Sequence, residues 1–146
     1  GSLLEDQMDH FLVDDRTNLT CEGFQETVAG HLVRHRSILD VLSKLQESGA
    51  RVNRAVAKAV TTCGCLEISA SRQRIPADAD FAQVKEFMQT HLKGVLCESC
   101  REIVETELGQ TLFYLTALCS LLGLRIDEIL DKEEERISAL GPYSLT

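Results

Sequence analysis

Two close pairs of cysteines, Cys63-Gly64-Cys65 and Cys97-Glu98-Ser99-Cys100, are the residues of this chain whose type and spacing most directly suggest chemistry. Each pair offers two soft sulfur ligands. In the first, Gly64 gives the tight turn that aims both sulfurs at one ion. The second pair opens a helical pattern, where the partial positive charge of a helix start favours ionised sulfur. Four thiolates in tetrahedral array suit zinc in a closed structural site, so Cys63, Cys65, Cys97 and Cys100 are the expected metal ligands. Three other readings compete: ordinary buried cysteines, a thiol redox pair at Cys97 and Cys100, and an iron–sulfur cluster, which also accepts four thiolates. Cys21 and Cys119 lie on apolar stripes and are expected to pack in the core.

Other polar groups form patterns of their own. Arg51, Arg54 and Lys58 succeed one another along one helical face. Such a basic stripe either pairs with Glu102, Glu105 and Glu107 or binds a phosphate-bearing ligand without metal. His31 and His35 are one turn apart, but Arg34 and Arg36 flank His35, so both read as exposed polar positions rather than metal ligands.

The elements that must position these groups are helical. Residues 1–18 read as an N-terminal arm, in which Leu4, Met8, Phe11 and Leu12 outline a short helix, and Asn18 or Thr20 is placed to cap the next helix. A long apolar stripe runs from Cys21 to Glu47 through Phe24, Val28, Leu32, Ile38, Leu42 and Leu45, and a bend is expected at Gly49. Periodicity resumes with Val52, Ala55, Val56, Ala59 and Val60 and ends at the first cysteine pair. Residues 66–78 look irregular. Asp78 or Asp80 is placed to cap a helix from Phe81 to Leu92, closed by Gly94, with Phe81, Val84, Phe87 and Met88 on one face. The strongest helix comes after Cys97 and runs through Val104, Leu108, Leu112, Leu115, Leu118, Cys119 and Leu122 to a stop at Gly123. A last helix runs from Asp127 to Leu140, with Ile126, Ile129, Leu130 and Ile137 expected inward. Nothing reads as a sheet. The expectation is an all-α bundle of about four or five helices, residues 19–146, with a short irregular insert at 63–100 flanked by the cysteines.

Charge narrows the partners. Fifteen Lys and Arg against 23 Asp and Glu give a net charge of -8. That balance argues against a general nucleic-acid or anionic-membrane binder, and the absence of Trp weakens base stacking. No apolar run approaches the roughly 20 residues a membrane span needs. Gly1-Ser2 reads as a cloning remnant, and residues 2–15 have no basic segment of a secretory signal. The expectation is a cytoplasmic chain with reduced cysteines.

The stretch Glu107-Leu108-Gly109-Gln110-Thr111-Leu112-Phe113-Tyr114-Leu115-Thr116-Ala117-Leu118, continuing through Leu122-Gly123-Leu124-Arg125-Ile126-Asp127-Glu128-Ile129-Leu130, resembles the MazG-like nucleoside triphosphate pyrophosphohydrolases. Their pattern is ELGDxLFYLxxLA followed by a GIDLEEAL-like helix start. Lys44-Leu45-Gln46-Glu47 looks like the start of the family's KLxEExxE helix. The resemblance implies a helical bundle assembled as a dimer or tetramer, a nucleotide ligand, and magnesium held by acids of the two motifs. By position Glu47 and Glu107 are the catalytic carboxylates that remain. The other acids fall on Ser48, Arg51 and Gln110, and an arginine in the cage repels the ion. The segment between the motifs is longer than the family's and carries all four paired cysteines.

Three functions are consistent with these features. The first is a non-catalytic, zinc-stabilised helical module for oligomerisation or interaction. The second is a divergent, magnesium-dependent nucleoside triphosphate pyrophosphohydrolase using Glu47 and Glu107, with Glu102 or Glu105 completing a reduced site. The third is a thiol-based redox sensor.

Overall fold

A computed structural model describes residues 20–32, 37–80, 82–83 and 89–141. The N-terminal arm, His35, and the proposed apolar face of Phe81, Val84, Phe87 and Met88 lie outside the described residues. Among those described are four α-helices: α1 (Cys21–His31), α2 (Ile38–Lys58), α3 (Glu98–Leu121) and α4 (Ile126–Leu140). A two-stranded antiparallel sheet, β1 (Leu66–Ile68) and β2 (Leu92–Gly94), lies in the chain between α2 and α3. The fold is all-α, and no described helix is long and apolar enough to cross a membrane.

The sheet corrects the expectation of an irregular insert. Leu66 pairs with Gly94, Glu67 with Lys93 and Ile68 with Leu92. Asp80 does cap the turn after it, accepting from Gln83 N–H at 2.9 Å while Gln83 Oε1 accepts from Asp80 N–H at 3.1 Å. This reciprocal pair is a capping box. However, the helix expected to reach Leu92 does not: Gln89 and Thr90 are not helical, and Leu92 and Gly94 belong to β2. The Gln73 side chain accepts from Gln89 N–H at 3.2 Å and donates to Gln89 O at 2.9 Å, and Leu92 N–H donates to Thr90 Oγ1 at 3.2 Å.

The stripe from Cys21 to Glu47 is also divided. Thr20 caps α1 by accepting from Gly23 N–H at 3.0 Å, and α1 ends at His31, before α2 starts at Ile38. Gly49 makes no bend, because α2 runs through it unbroken. A lone glycine inside a long helix costs only about 1 kcal/mol relative to alanine, which neighbouring turns can carry.

The described residues form two compact units. One comprises residues up to Leu45 together with those from Leu112 onward. Its core is Val28, Leu32, Val41 and Ala117, against which Phe24, Phe113, Leu118 and Leu121 pack. Cys119 is buried as expected, whereas Cys21 is exposed at the first turn of α1. Helix α3 ends in a Schellman motif, with Leu124 N–H bonded to Cys119 O and Gly123 N–H to Ser120 O. Gln25 then ties α1 to the next turn. Its Oε1 accepts from Ile126 N–H at 2.8 Å, and its Nε2 donates to Leu124 O at 2.8 Å. Arg125 reaches Glu22 at 3.1 Å and Asp127 at 3.2 Å, and its hydrogen bonds hold the Asp127 carboxyl below its ordinary range.

Beyond that anchor α4 is only partly covered by the described residues. Every residue from Glu128 to Leu140 is exposed, so only Ile126 of the four expected inward residues is buried. Ile129, Leu130, Ile137 and Leu140 share one face and are each 40–48 % exposed. On α3 of this unit Leu112 and Leu115 are exposed as well, as is Leu122 just beyond its end.

The second unit spans Gln46–Thr111 and holds the cysteine pairs. Its buried side chains among the described residues are few: Ser48, Ala59, Leu66 and Val104.

Candidate metal centre

Helix α2 delivers the first pair through a change of helical pitch. Ala59–Cys63 form a π turn, which Gly64 closes with its N–H on Ala59 O at 2.9 Å. The turn is wider than an α turn by one residue, a device frequent at functional sites. Gly64 has φ +81, a left-handed conformation that costs a glycine nothing. The chain thereby reverses into β1 with Cys63 and Cys65 on either side of the turn. Cys65 Sγ lies 3.7 Å from Ala59 O, to which it donates.

The second pair arrives from β2. Cys97 occupies the N-cap position of α3: Arg101 N–H bonds to its carbonyl at 2.8 Å, and Cys100 N–H donates to its sulfur at 3.4 Å. A sulfur taking the place of a capping oxygen is favoured when ionised, since the first helical N–H groups face it. The antiparallel register of β1 and β2 brings the two cysteine pairs together at one end of the hairpin.

All four sulfurs lie within 4.8 Å of one another, and Cys63 and Cys97 are 3.8 Å apart. With metal–sulfur bonds of about 2.3 Å, a tetrahedral site has sulfur–sulfur edges of about 3.8 Å. The quartet therefore has the size of a cage around one ion. A multi-iron cluster sets thiolates on different ions and spreads them further. All six cysteines are free thiols.

The ionisation of the group points the same way. The Cys100 N–H, and then its side chain, lower the Cys97 thiol to about 7. The Cys97 sulfur, and then burial, push Cys100 up to about 12. Cys63 is raised too: the Cys65 backbone N–H and the Cys100 thiol favour its thiolate, but the Cys97 and Cys65 sulfurs and burial outweigh them. Four thiols this close cannot all ionise by themselves. A dication among them reverses that penalty by neutralising half of the charge.

The other expected site residues stand apart from this quartet. Glu47 and Arg51 form an exposed ion pair at 2.7 Å, one turn apart on α2. Arg54 and Lys58 are exposed. Glu102 and Glu107 line a shallow hollow with Ile103 and Thr106. One carboxylate oxygen of Glu107 is buried there without a hydrogen-bond partner. Position 48, where the resemblance looks for a second acid, is a buried serine. His31 is exposed, its Nδ1 2.9 Å from Thr27 O. Among the described residues, the four cysteines are the one group of three or more His, Cys, Asp or Glu whose ligand atoms converge.

Two residues that position the centre have no motif to announce them. Ala59 gives its carbonyl to both Gly64 N–H and Cys65 Sγ. Gly94, at φ +84, sits so close to Cys65 that a Cβ would overlap the Cys65 carbonyl oxygen. The brief alternation Leu66-Glu67-Ile68 is the available sign of the strand that Gly94 faces.

No protein-family model matches the chain, and no curated protein or solved structure matches it.

Proposed function

We propose that the chain is a non-catalytic helical module of MazG-like type, held by one structural zinc and used for self-association. The observation that carries the metal is the sulfur quartet, whose 3.8 Å edge matches a tetrahedral site. Zinc fits better than harder ions because all four donors are thiolates, and it needs no open coordination position to act as a brace.

Self-association is supported by α4. A helix of fifteen residues is marginal in water unless something covers its apolar face. Fully covering Ile129, Leu130, Ile137 and Leu140 contributes roughly 1 kcal/mol each. A second copy is the partner chosen here, giving a dimer or tetramer. Light scattering across a range of concentrations is expected to show an oligomer. The double variant Leu130→Glu/Ile137→Glu is expected to be monomeric and to lose helicity in α4 alone, because both positions are exposed in the single chain. A wild-type chain that stays monomeric at all concentrations contradicts this part of the proposal.

A second reading, the nucleoside triphosphate pyrophosphohydrolase, is favoured by the orphan oxygen of Glu107. The donors do not fit a magnesium cage within one chain: Glu47 is occupied by Arg51, and no three described carboxylates converge. That reading requires magnesium-dependent release of pyrophosphate that Glu107→Gln abolishes.

A further inference from the structure

We propose that peroxide oxidises this centre by joining Cys63 to Cys97 and expelling the ion, so that a covalent tie replaces the metal tie. The expulsion rests on the metal reading above; the pairing of sulfurs does not.

Access and distance select the pair. Cys63 is the one exposed member of the quartet, while Cys65, Cys97 and Cys100 are half-buried. A peroxide therefore meets the Cys63 sulfur first. Its neighbour at 3.8 Å is Cys97, and Gly64 directly after Cys63 provides a pivot for closing the gap to a bonded distance. The Cys100 N–H, 3.4 Å from the Cys97 sulfur, holds that sulfur in place at the start of α3.

The step balances without a further reagent. The Cys63 thiolate attacks one oxygen of hydrogen peroxide, the O–O bond breaks, and hydroxide leaves a sulfenic acid on Cys63. The Cys97 thiolate then attacks that sulfur, the S–O bond breaks, and a second hydroxide departs. Two thiolates lose two electrons to one peroxide. Cys65 and Cys100 alone cannot close a tetrahedral zinc site, so the ion leaves.

The consequence is specific to this pair. A Cys97–Cys100 disulfide would stay within the cap and first turn of α3 and tie no other element to it. Cys63–Cys97 instead spans the hairpin and keeps the end of the π turn fixed to the start of α3. The oxidised chain keeps its clamp and loses its metal, whereas a chain stripped by a chelator while reduced loses both.

Peptide mapping decides the matter. Trypsin cuts after Lys58, Arg72, Lys93 and Arg101, so Cys63 and Cys65 fall in peptide 59–72, and Cys97 and Cys100 in peptide 94–101. The full chain is treated with hydrogen peroxide, released zinc is tracked with a chromogenic chelator, and the unreduced digest is read by mass spectrometry. The expected product is peptide 59–72 linked to 94–101, with fragmentation placing the bond at Cys63 and Cys97. Zinc release is expected in step with it. A bond inside either peptide, a link through Cys65 or Cys100, or sulfinic acid without a link overturns the proposal. The same link formed in a chain that never held metal keeps the pairing and removes the metal reading.

Discussion

Cys65→Ser is expected to empty the metal centre and destabilise the chain by several kcal/mol, the largest effect of any single substitution considered. The reason is how few of the described side chains around the site are buried. In the unit from Gln46 to Thr111, the described buried apolar side chains are Ala59, Leu66 and Val104, two of which are small or medium in size. Where so few described side chains are buried around the site, a staple there carries much of the local stability. The proposed zinc would supply that staple, because its binding free energy is available only to the folded arrangement of ligands. Serine keeps the shape of Cys65 but replaces a thiolate by a poor ligand. The melting temperature is expected to fall by roughly 10 °C or more for a chain of this length. Chelator treatment of the reduced wild type should reproduce the loss, and added zinc should restore it. Cys21→Ser, at an exposed cysteine outside the quartet, should change stability by no more than about 0.5 kcal/mol. Equal melting temperatures for the two variants would mean that the quartet contributes nothing as a brace.

Gly94→Ala is expected to be nearly as damaging, although no ligand changes. Two costs add. The left-handed backbone at φ +84 penalises any L side chain by about 1–2 kcal/mol. The new Cβ also overlaps the carbonyl oxygen of Cys65, a backbone atom that cannot swing aside like a side-chain tip. Relief requires β1 and β2 to part where Leu66 pairs with Gly94, which moves Cys65 out of the quartet. Gly64→Ala provides the comparison. It has a similar φ of +81, but nothing lies within 4 Å of its Cβ, so only the first cost applies. Zinc affinity measured by competition should therefore fall further in Gly94→Ala than in Gly64→Ala. If the two lose affinity equally, the close approach of Gly94 to Cys65 has no part in building the site.

The sequence makes the site legible further than the fold around it. Sulfur ligands at close spacing carry their chemistry in residue type, and the two pairs stand out before any geometry is known. Helices α3 and α4 are equally plain, because their leucine and isoleucine spacing and the stop at Gly123 are local signals. What brings the pairs together is not. The hairpin depends on pairing between Leu66–Ile68 and Leu92–Gly94, far apart in sequence, and three-residue strands leave almost no periodicity to read. Leu92 and Gly94 accordingly read as a helix end and its stop. The break before Ile38 is hidden because Leu32 and Ile38 both serve the apolar stripe. Periodicity likewise places Ile129, Leu130 and Ile137 on one face of α4 correctly, but a stripe does not say whether its cover comes from the same chain. For α4 much of it does not come from the described residues, and that is the physical ground on which self-association is proposed.

The claim on which the rest depends is that Cys63, Cys65, Cys97 and Cys100 hold one zinc. Elemental analysis of the intact chain, purified under reducing conditions without added metal, tests it directly. About one zinc per chain is expected, lost on Cys65→Ser and retained on Cys21→Ser. A folded wild-type chain containing no metal, with a melting temperature unmoved by either zinc or chelator, would contradict the account.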